Sequence, residues 1–269
     1  MKPPFWRGDS SRKVLSRIVV EGDLVLQTPC SLGSGDTDDM LDLPLLLDPL
    51  TGNRPLLTGA TLAGALRAWL ARWEGGYSSS GGELTTALFG AERGGAETPQ
   101  QERNRPQSAL IVEDALGDQV SGVEFRSGVR LNPESRTAAD KALYDMQLWP
   151  AGTTFPIRLE LLVPEEQRPK TFSEDDLKKA LATALHGLEC GALTLGARKR
   201  RGLGQVKVSG WKVRRYDLTS LEDLIDWLVA GAAPLSPSDA KVVGKASIAE
   251  ALGVEALLED RRKYFRIQL

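Results

Sequence analysis

Residues 196–204 read Gly-Ala-Arg-Lys-Arg-Arg-Gly-Leu-Gly, setting the four cations Arg198, Lys199, Arg200 and Arg201 beside Gly202 and Gly204. Glycine lets a backbone approach a ligand with its amides turned outward, and cations add charge, so the chemistry is that of a phosphate cradle. A solvated basic turn is the other reading these residue types allow. No acid appears between Arg198 and Asp217, while Lys207, Lys212, Arg214 and Arg215 extend the run. The formal net charge is only −2, so a local basic surface on an acidic body is expected.

A second anion-competent pattern lies at Gly59, Thr61, Gly64 and Arg67. Small residues at a helix start let a phosphate reach free amides and the helix dipole, and Arg67 can point at the same anion. Tight packing of the helix on a sheet explains the glycines equally well. Asp36, Asp38, Asp39 and Asp42 form an acidic stretch of the kind that caps local amides in loops, and Asp48 before Pro49 suits a turn. His186 is the single histidine, and Cys30 and Cys190 are the two cysteines. These counts exclude a disulfide framework, a thiolate zinc site and most histidine chemistry.

The elements that position these residues follow from periodicity. Residues 16–28 and 108–115 read as strands, and residues 153–163 alternate Phe155, Ile157, Leu159 and Leu161 with polar neighbours as a half-buried strand. Gln205 to Val213 alternate as a fourth. Leu62, Leu66, Trp69, Leu70 and Trp73 mark one face of a helix over 61–73, capped by Thr58 or Thr61. Ser173 with Asp176 forms a capping box ahead of a second helix that stops at Gly191. The order β, α, β, β, α, β is the split βαβ pattern of an α+β, ferredoxin-like or RRM-like fold. His186 falls on the second helix, where a satisfied or exposed role is expected.

With 269 residues, 41% apolar and 26% charged, the chain suits one large domain with insertions. Residues 1–217 are read as that domain, with insertions at 75–107 and 116–152. Residues 218–269 are read as a C-terminal extension holding a short helix at 221–229, a Pro/Ser-rich linker at 232–239 and a possible terminal strand. Neither a signal peptide nor an apolar run of membrane length is seen, so a cytoplasmic protein is expected.

Three segments carry a family resemblance. Asp42-Leu43-Pro44-Leu45-Leu46-Leu47-Asp48-Pro49-Leu50-Thr51-Gly52-Asn53-Arg54-Pro55 runs into Leu56-Leu57-Thr58-Gly59-Ala60-Thr61-Leu62-Ala63-Gly64-Ala65-Leu66-Arg67. Leu88-Phe89-Gly90 then precedes Ile111-Val112-Glu113-Asp114-Ala115, and Gly196 to Val206 close the set. In this order they resemble the repeat-associated mysterious protein (RAMP) superfamily, and within it the backbone (Cas7-type) subunits of type III CRISPR effector complexes.

The resemblance implies contact of CRISPR RNA with Gly59, Thr61, Gly64 and Arg67 and with the Arg198–Gly204 loop. It implies assembly with sister RAMP subunits and with a large polymerase-like subunit. Asp42 matches the family's cleavage aspartate, which would face target RNA. The implied reaction is attack of a 2′-hydroxyl on its adjacent phosphate, with Mg²⁺ or another divalent ion held by Asp42, Asp38 and Asp39. The 116–152 insertion resembles the family's thumb, with Val129, Arg130, Leu131, Leu143 and Met146 as candidate contacts. Ser31 stands where the family's segment carries a histidine. Alternatives are a non-catalytic structural RAMP subunit, a ribonuclease that processes CRISPR RNA, and an unrelated ferredoxin-like regulatory domain.

Overall fold

The computed structural model describes residues 13–33, 44–91, 106–118, 122–131, 134–165 and 172–263. Its centre is β1 (Val14–Leu26), a 13-residue strand in which Ile18, Val20, Leu24 and Leu26 alternate onto one buried face. Such a β-branched and aliphatic run fits a pleated surface that is covered on both sides. β1 pairs antiparallel with β7 (Thr154–Pro164) on one edge, Val20 opposite Leu159. On its other edge it pairs antiparallel with β8 (Val206–Asp217), Val20 opposite Val213.

β3 (Leu110–Val112) extends the sheet beyond β7, and β9 (Val243–Lys245) extends it beyond β8. The five-stranded antiparallel order is β3-β7-β1-β8-β9. β2 (Leu56–Leu57) and β4 (Ala115–Leu116) make a small separate pair, as do β5 (Glu124–Leu131) and β6 (Ala138–Leu148).

One face of the sheet carries the helices. α1 (Gly59–Gly75) buries Leu62, Leu66, Trp69, Leu70 and Trp73, the face expected from the sequence, and Thr58 Oγ1 caps it by accepting from Thr61 N at 3.3 Å. α3 (Glu174–Glu189) has the expected capping box, in which Ser173 and Asp176 satisfy each other's backbone N–H. The two helices meet where Trp69 packs on Gly187, and Trp69 Nε1 donates to the Thr183 carbonyl at 3.0 Å. Any side chain at Gly187 would collide with that indole. The short α2 (Glu83–Phe89) lies within the first insertion.

The C-terminal region folds into this body. α4 (Leu221–Ala230) and the segment after it cover the opposite sheet face, where Val19, Tyr216 and Leu235 are buried together with Trp227 packed beside them. Arg158 donates to the Gly231 and Ala233 carbonyls, and Glu21 accepts from Leu235 N at 2.9 Å. The stretch expected as a linker is therefore pinned, because buried Leu235 and these hydrogen bonds outweigh its Pro/Ser composition. α5 (Ile248–Leu252) joins the main core, and Trp73 Nε1 donates to the Leu258 carbonyl. Of the terminal strand expected at 263–269, all but Lys263 lies outside the described residues. Among the described residues, no helix is long and apolar enough to cross a membrane.

Candidate nucleic-acid interface

The glycine- and arginine-rich loop joins α3 to β8 and is closed on itself by hydrogen bonds. Leu195 N donates to the Gly204 carbonyl at 2.8 Å, Gly204 N to the Pro29 carbonyl at 2.9 Å, and Ala197 N to the Ser31 carbonyl at 3.0 Å. The loop is thereby stapled to the chain leaving β1. Gly196 and Gly204 both have positive φ, and a methyl group on either would run into the Ser31 or Leu195 carbonyl. Gly204 thus serves packing. Gly202, also at positive φ, faces open space and leaves its surroundings free for a ligand.

Lys199, Arg200 and Arg201 form one 3-10 turn raised on this frame, and all three are exposed. Lys199 and Arg200 pair with no acid among the described residues. The buried Cys30 thiol beneath donates toward the Leu195 carbonyl at 3.5 Å. Burial pushes that thiol up to about 12, against the opposing pull of Lys199. Cys30 is a packing residue.

The β5–β6 hairpin stands against this loop. Leu203 packs with Met146 and Leu148 of β6, so Met146 is 4% exposed and part of the hairpin's foot. Tyr144 receives Arg198, whose Nη1 donates to the phenol oxygen at 2.5 Å while the guanidinium sits 4.1 Å above the ring. Arg201 Nη1 reaches the same oxygen at 3.3 Å. Arg130 and Leu131 occupy β5, and the side chains of both, like that of Leu143, lie outside the described residues. On the other hairpin face Phe125 and Val129 are 66% and 44% exposed. Phe125 and Tyr144 escaped the sequence reading. The signal lay in two period-2 stretches, Phe125-Ser127-Val129 and Tyr144-Met146-Leu148, inside the insertion read as resembling the family's thumb.

Asp38, Asp39 and Asp42 lie outside the described residues. The borders of their segment are held by backbone and side-chain contacts. Gly33 bridges Leu45, Leu46 N donates to the Leu32 carbonyl at 2.7 Å, and Leu45 N donates to Gln147 Oε1 of β6 at 3.3 Å. The acidic segment therefore departs and returns beside both the hairpin and the basic loop. Carboxylates are hard oxygen donors of the class that Mg²⁺ takes. Asp48 accepts from Thr51 Oγ1 and from Leu50 and Thr51 N–H, and the Thr51 hydroxyl above all holds its carboxyl below the usual range. It is a turn former, as expected.

The start of α1 packs beside the end of β3. Two of its first amides are already engaged. Gly59 N donates to Asp114 Oδ1 at 2.7 Å, and a methyl at Gly59 would strike the Val112 carbonyl. Thr61 is exposed but its N–H is held by Thr58. Gly64 is exposed to open space. Arg67 Nη1 donates to the Gly90 carbonyl at 2.9 Å and reaches the Phe89 carbonyl at 3.4 Å, fastening the end of α2 to α1.

His186 sits in the helical layer, its Nδ1 3.5 Å from Glu189 and its ring edge-on to Trp73. Among the described residues one acidic trio has ligand spacing, Glu222, Asp223 and Asp226 on α4, and Lys241 occupies it with contacts to all three.

Comparison with known proteins bears on the region just described. No curated protein matches the chain. The family model of the RAMP superfamily matches residues 28–207, more than half of the chain, from the residues that leave β1 to the first residues of β8. The stapled basic loop, the hairpin and both borders of the acidic segment all fall inside that span, and the chain belongs to the RAMP superfamily, a family of CRISPR-associated RNA-binding modules.

Proposed function

We propose that this RAMP protein is a CRISPR RNA-binding backbone subunit of a type III RNA-guided complex, built on a ferredoxin-like βαββαβ core with the β5–β6 hairpin as its thumb. The sheet order β3-β7-β1-β8, with α1 and α3 on one face, supports the ferredoxin-like reading. Because α4 and the chain after it cover the other sheet face, RNA approaches the end of the sheet and not its surface.

The observation that carries the reading is the exposed Lys199–Arg201 turn, stapled beside the hairpin, in which Lys199 and Arg200 have no acidic partner among the described residues. Fixed cations of this kind draw a sugar-phosphate backbone and release its counterions. Phe125 supplies an exposed aromatic on the hairpin, suited to contact an unstacked base.

Target RNA cleavage is proposed at Asp42, whose carboxylate orients the attacking 2′-hydroxyl. A divalent ion held with Asp38 and Asp39 would supply electrostatic stabilisation of the phosphorane-like charge. A non-catalytic subunit is the second reading, favoured by Ser31 at the family's histidine position.

The test measures binding of single-stranded RNA to the purified full chain across a range of salt. Replacing Lys199 and Arg200 together by Ala should lower the slope of log K against log salt by about 1.4, roughly 0.7 for each lost phosphate contact. An unchanged slope refutes the turn as the RNA site.

A further inference from the structure

We infer that Arg198 and Tyr144 form a latch fixing the β5–β6 hairpin to the RNA-binding turn, so that Arg198 is a positioning residue and not a phosphate ligand. The inference rests on the RNA-binding reading for its functional consequence, though the latch itself is a matter of geometry.

Arg198 differs from the cations that follow it. It has φ +56°, a conformation non-glycine residues adopt rarely, and it is half-buried where Lys199, Arg200 and Arg201 are exposed. Its guanidinium is engaged twice by one side chain, in a hydrogen bond to the Tyr144 hydroxyl and across the ring face. Its Nη1 and one guanidinium face are thus committed to Tyr144, which leaves a phosphate only the remaining N–H groups.

Tyr144 is equally committed. It lies directly opposite Gly128 in the hairpin register, and any Cβ at that position would collide with its ring. The ring is therefore held between close contact with Gly128 of β5 and the Arg198 guanidinium over one of its faces. Its hydroxyl also receives Arg201 from the far end of the 3-10 turn. Both ends of the turn converge on one oxygen, and the apolar contact of Leu203 with Met146 and Leu148 closes the joint below. The hairpin and the turn must then move as one body, with Lys199 and Arg200 presented between the two tethered arginines.

Three full-chain variants test this: Tyr144→Phe, Arg198→Asn and Arg200→Met. Asparagine tolerates a left-handed backbone, so Arg198→Asn removes the guanidinium without new strain. Amide exchange in β5 and β6 should accelerate about fivefold in Arg198→Asn, the factor set by one lost hydrogen bond, and by more in Tyr144→Phe, which loses the bonds from both Arg198 and Arg201. It should not change in Arg200→Met. RNA affinity should fall in all three. The salt slope should drop by about 0.7 in Arg200→Met alone. The double variant Tyr144→Phe/Arg198→Asn should bind RNA no worse than the weaker single variant.

A slope loss in Arg198→Asn equal to that in Arg200→Met would overturn the assignment, as would unaltered hairpin exchange in both latch variants. If the unmodified chain bound RNA without salt dependence, the RNA reading would fail, and the exchange data would still decide the latch.

Discussion

Glu174 and Arg215 meet in a two-point ion pair, Oε1 accepting from Nε at 2.7 Å and Oε2 from Nη2 at 3.0 Å. The pair ties the first turn of α3 to β8, and Ser16 Oγ of β1 donates to the same carboxylate at 3.0 Å. One side chain thus joins the helical layer to the two central strands.

That junction sets an acid limit on stability. Partial burial works to raise the Glu174 pKa, but hydrogen bonds from Arg215, Lys178 and Ser16 outweigh it and bring the value from 4.5 down to about 2. A carboxyl depressed in the folded state stabilises fully above its unfolded value and loses that contribution as pH falls through the folded one. Glu174→Gln should therefore cost about 2 kcal/mol at neutral pH. The difference from the parent protein should vanish between pH 4.5 and about 2. Urea melts at a series of pH values provide the check.

Arg67 offers a contrast between stability and binding. Its guanidinium holds the Gly90 and Phe89 carbonyls, so Arg67→Met should lower the unfolding free energy by about 1–3 kcal/mol. The salt slope of RNA binding should stay as it is in the parent protein. A slope loss without destabilisation would return Arg67 to the RNA contacts suggested by its sequence position.

The two glycines of the basic loop should respond unequally to alanine. Gly202→Ala meets open space and should cost about 1 kcal/mol for its left-handed backbone alone. Gly204→Ala adds a collision with the Leu195 carbonyl and should cost at least about 3 kcal/mol. Denaturant midpoints of the two variants decide the order.

Asp42→Asn separates the catalytic reading from the structural one. In the reconstituted complex, cleavage of complementary RNA should fall about 100-fold or more while RNA retention is unaffected. Chelation of divalent ions should reproduce the loss, and a target lacking the 2′-hydroxyl should resist. Undiminished cutting at every position would assign this chain a scaffolding role.

The large elements were legible because their apolar residues recur at a single period. β1, α1 and α3 each bury one continuous face, and Ser173 with Asp176, the N-cap and third residue, announced the start of α3. The basic loop was legible from composition, but the division of labour inside it was not. Whether a glycine faces a ligand or a carbonyl depends on how the chain closes on itself at Leu195 and on which chain lies opposite, and Pro29 and Ser31 come from elsewhere in the fold. The same holds for Arg67, whose partners are backbone carbonyls that no residue type reveals. Leu235 escaped notice because one apolar residue among prolines and serines has no period, although Val19 and Tyr216 await it on the sheet.

The central position of β1 has a consequence for synthesis. Both of its partners, β7 and β8, lie in the second half of the chain, so a ribosome must translate past Thr154 before the first long strand has any neighbour. Until then the nascent chain carries a thirteen-residue strand with one apolar face and both edges open, the kind of segment that chaperones shield and that aggregates when they do not.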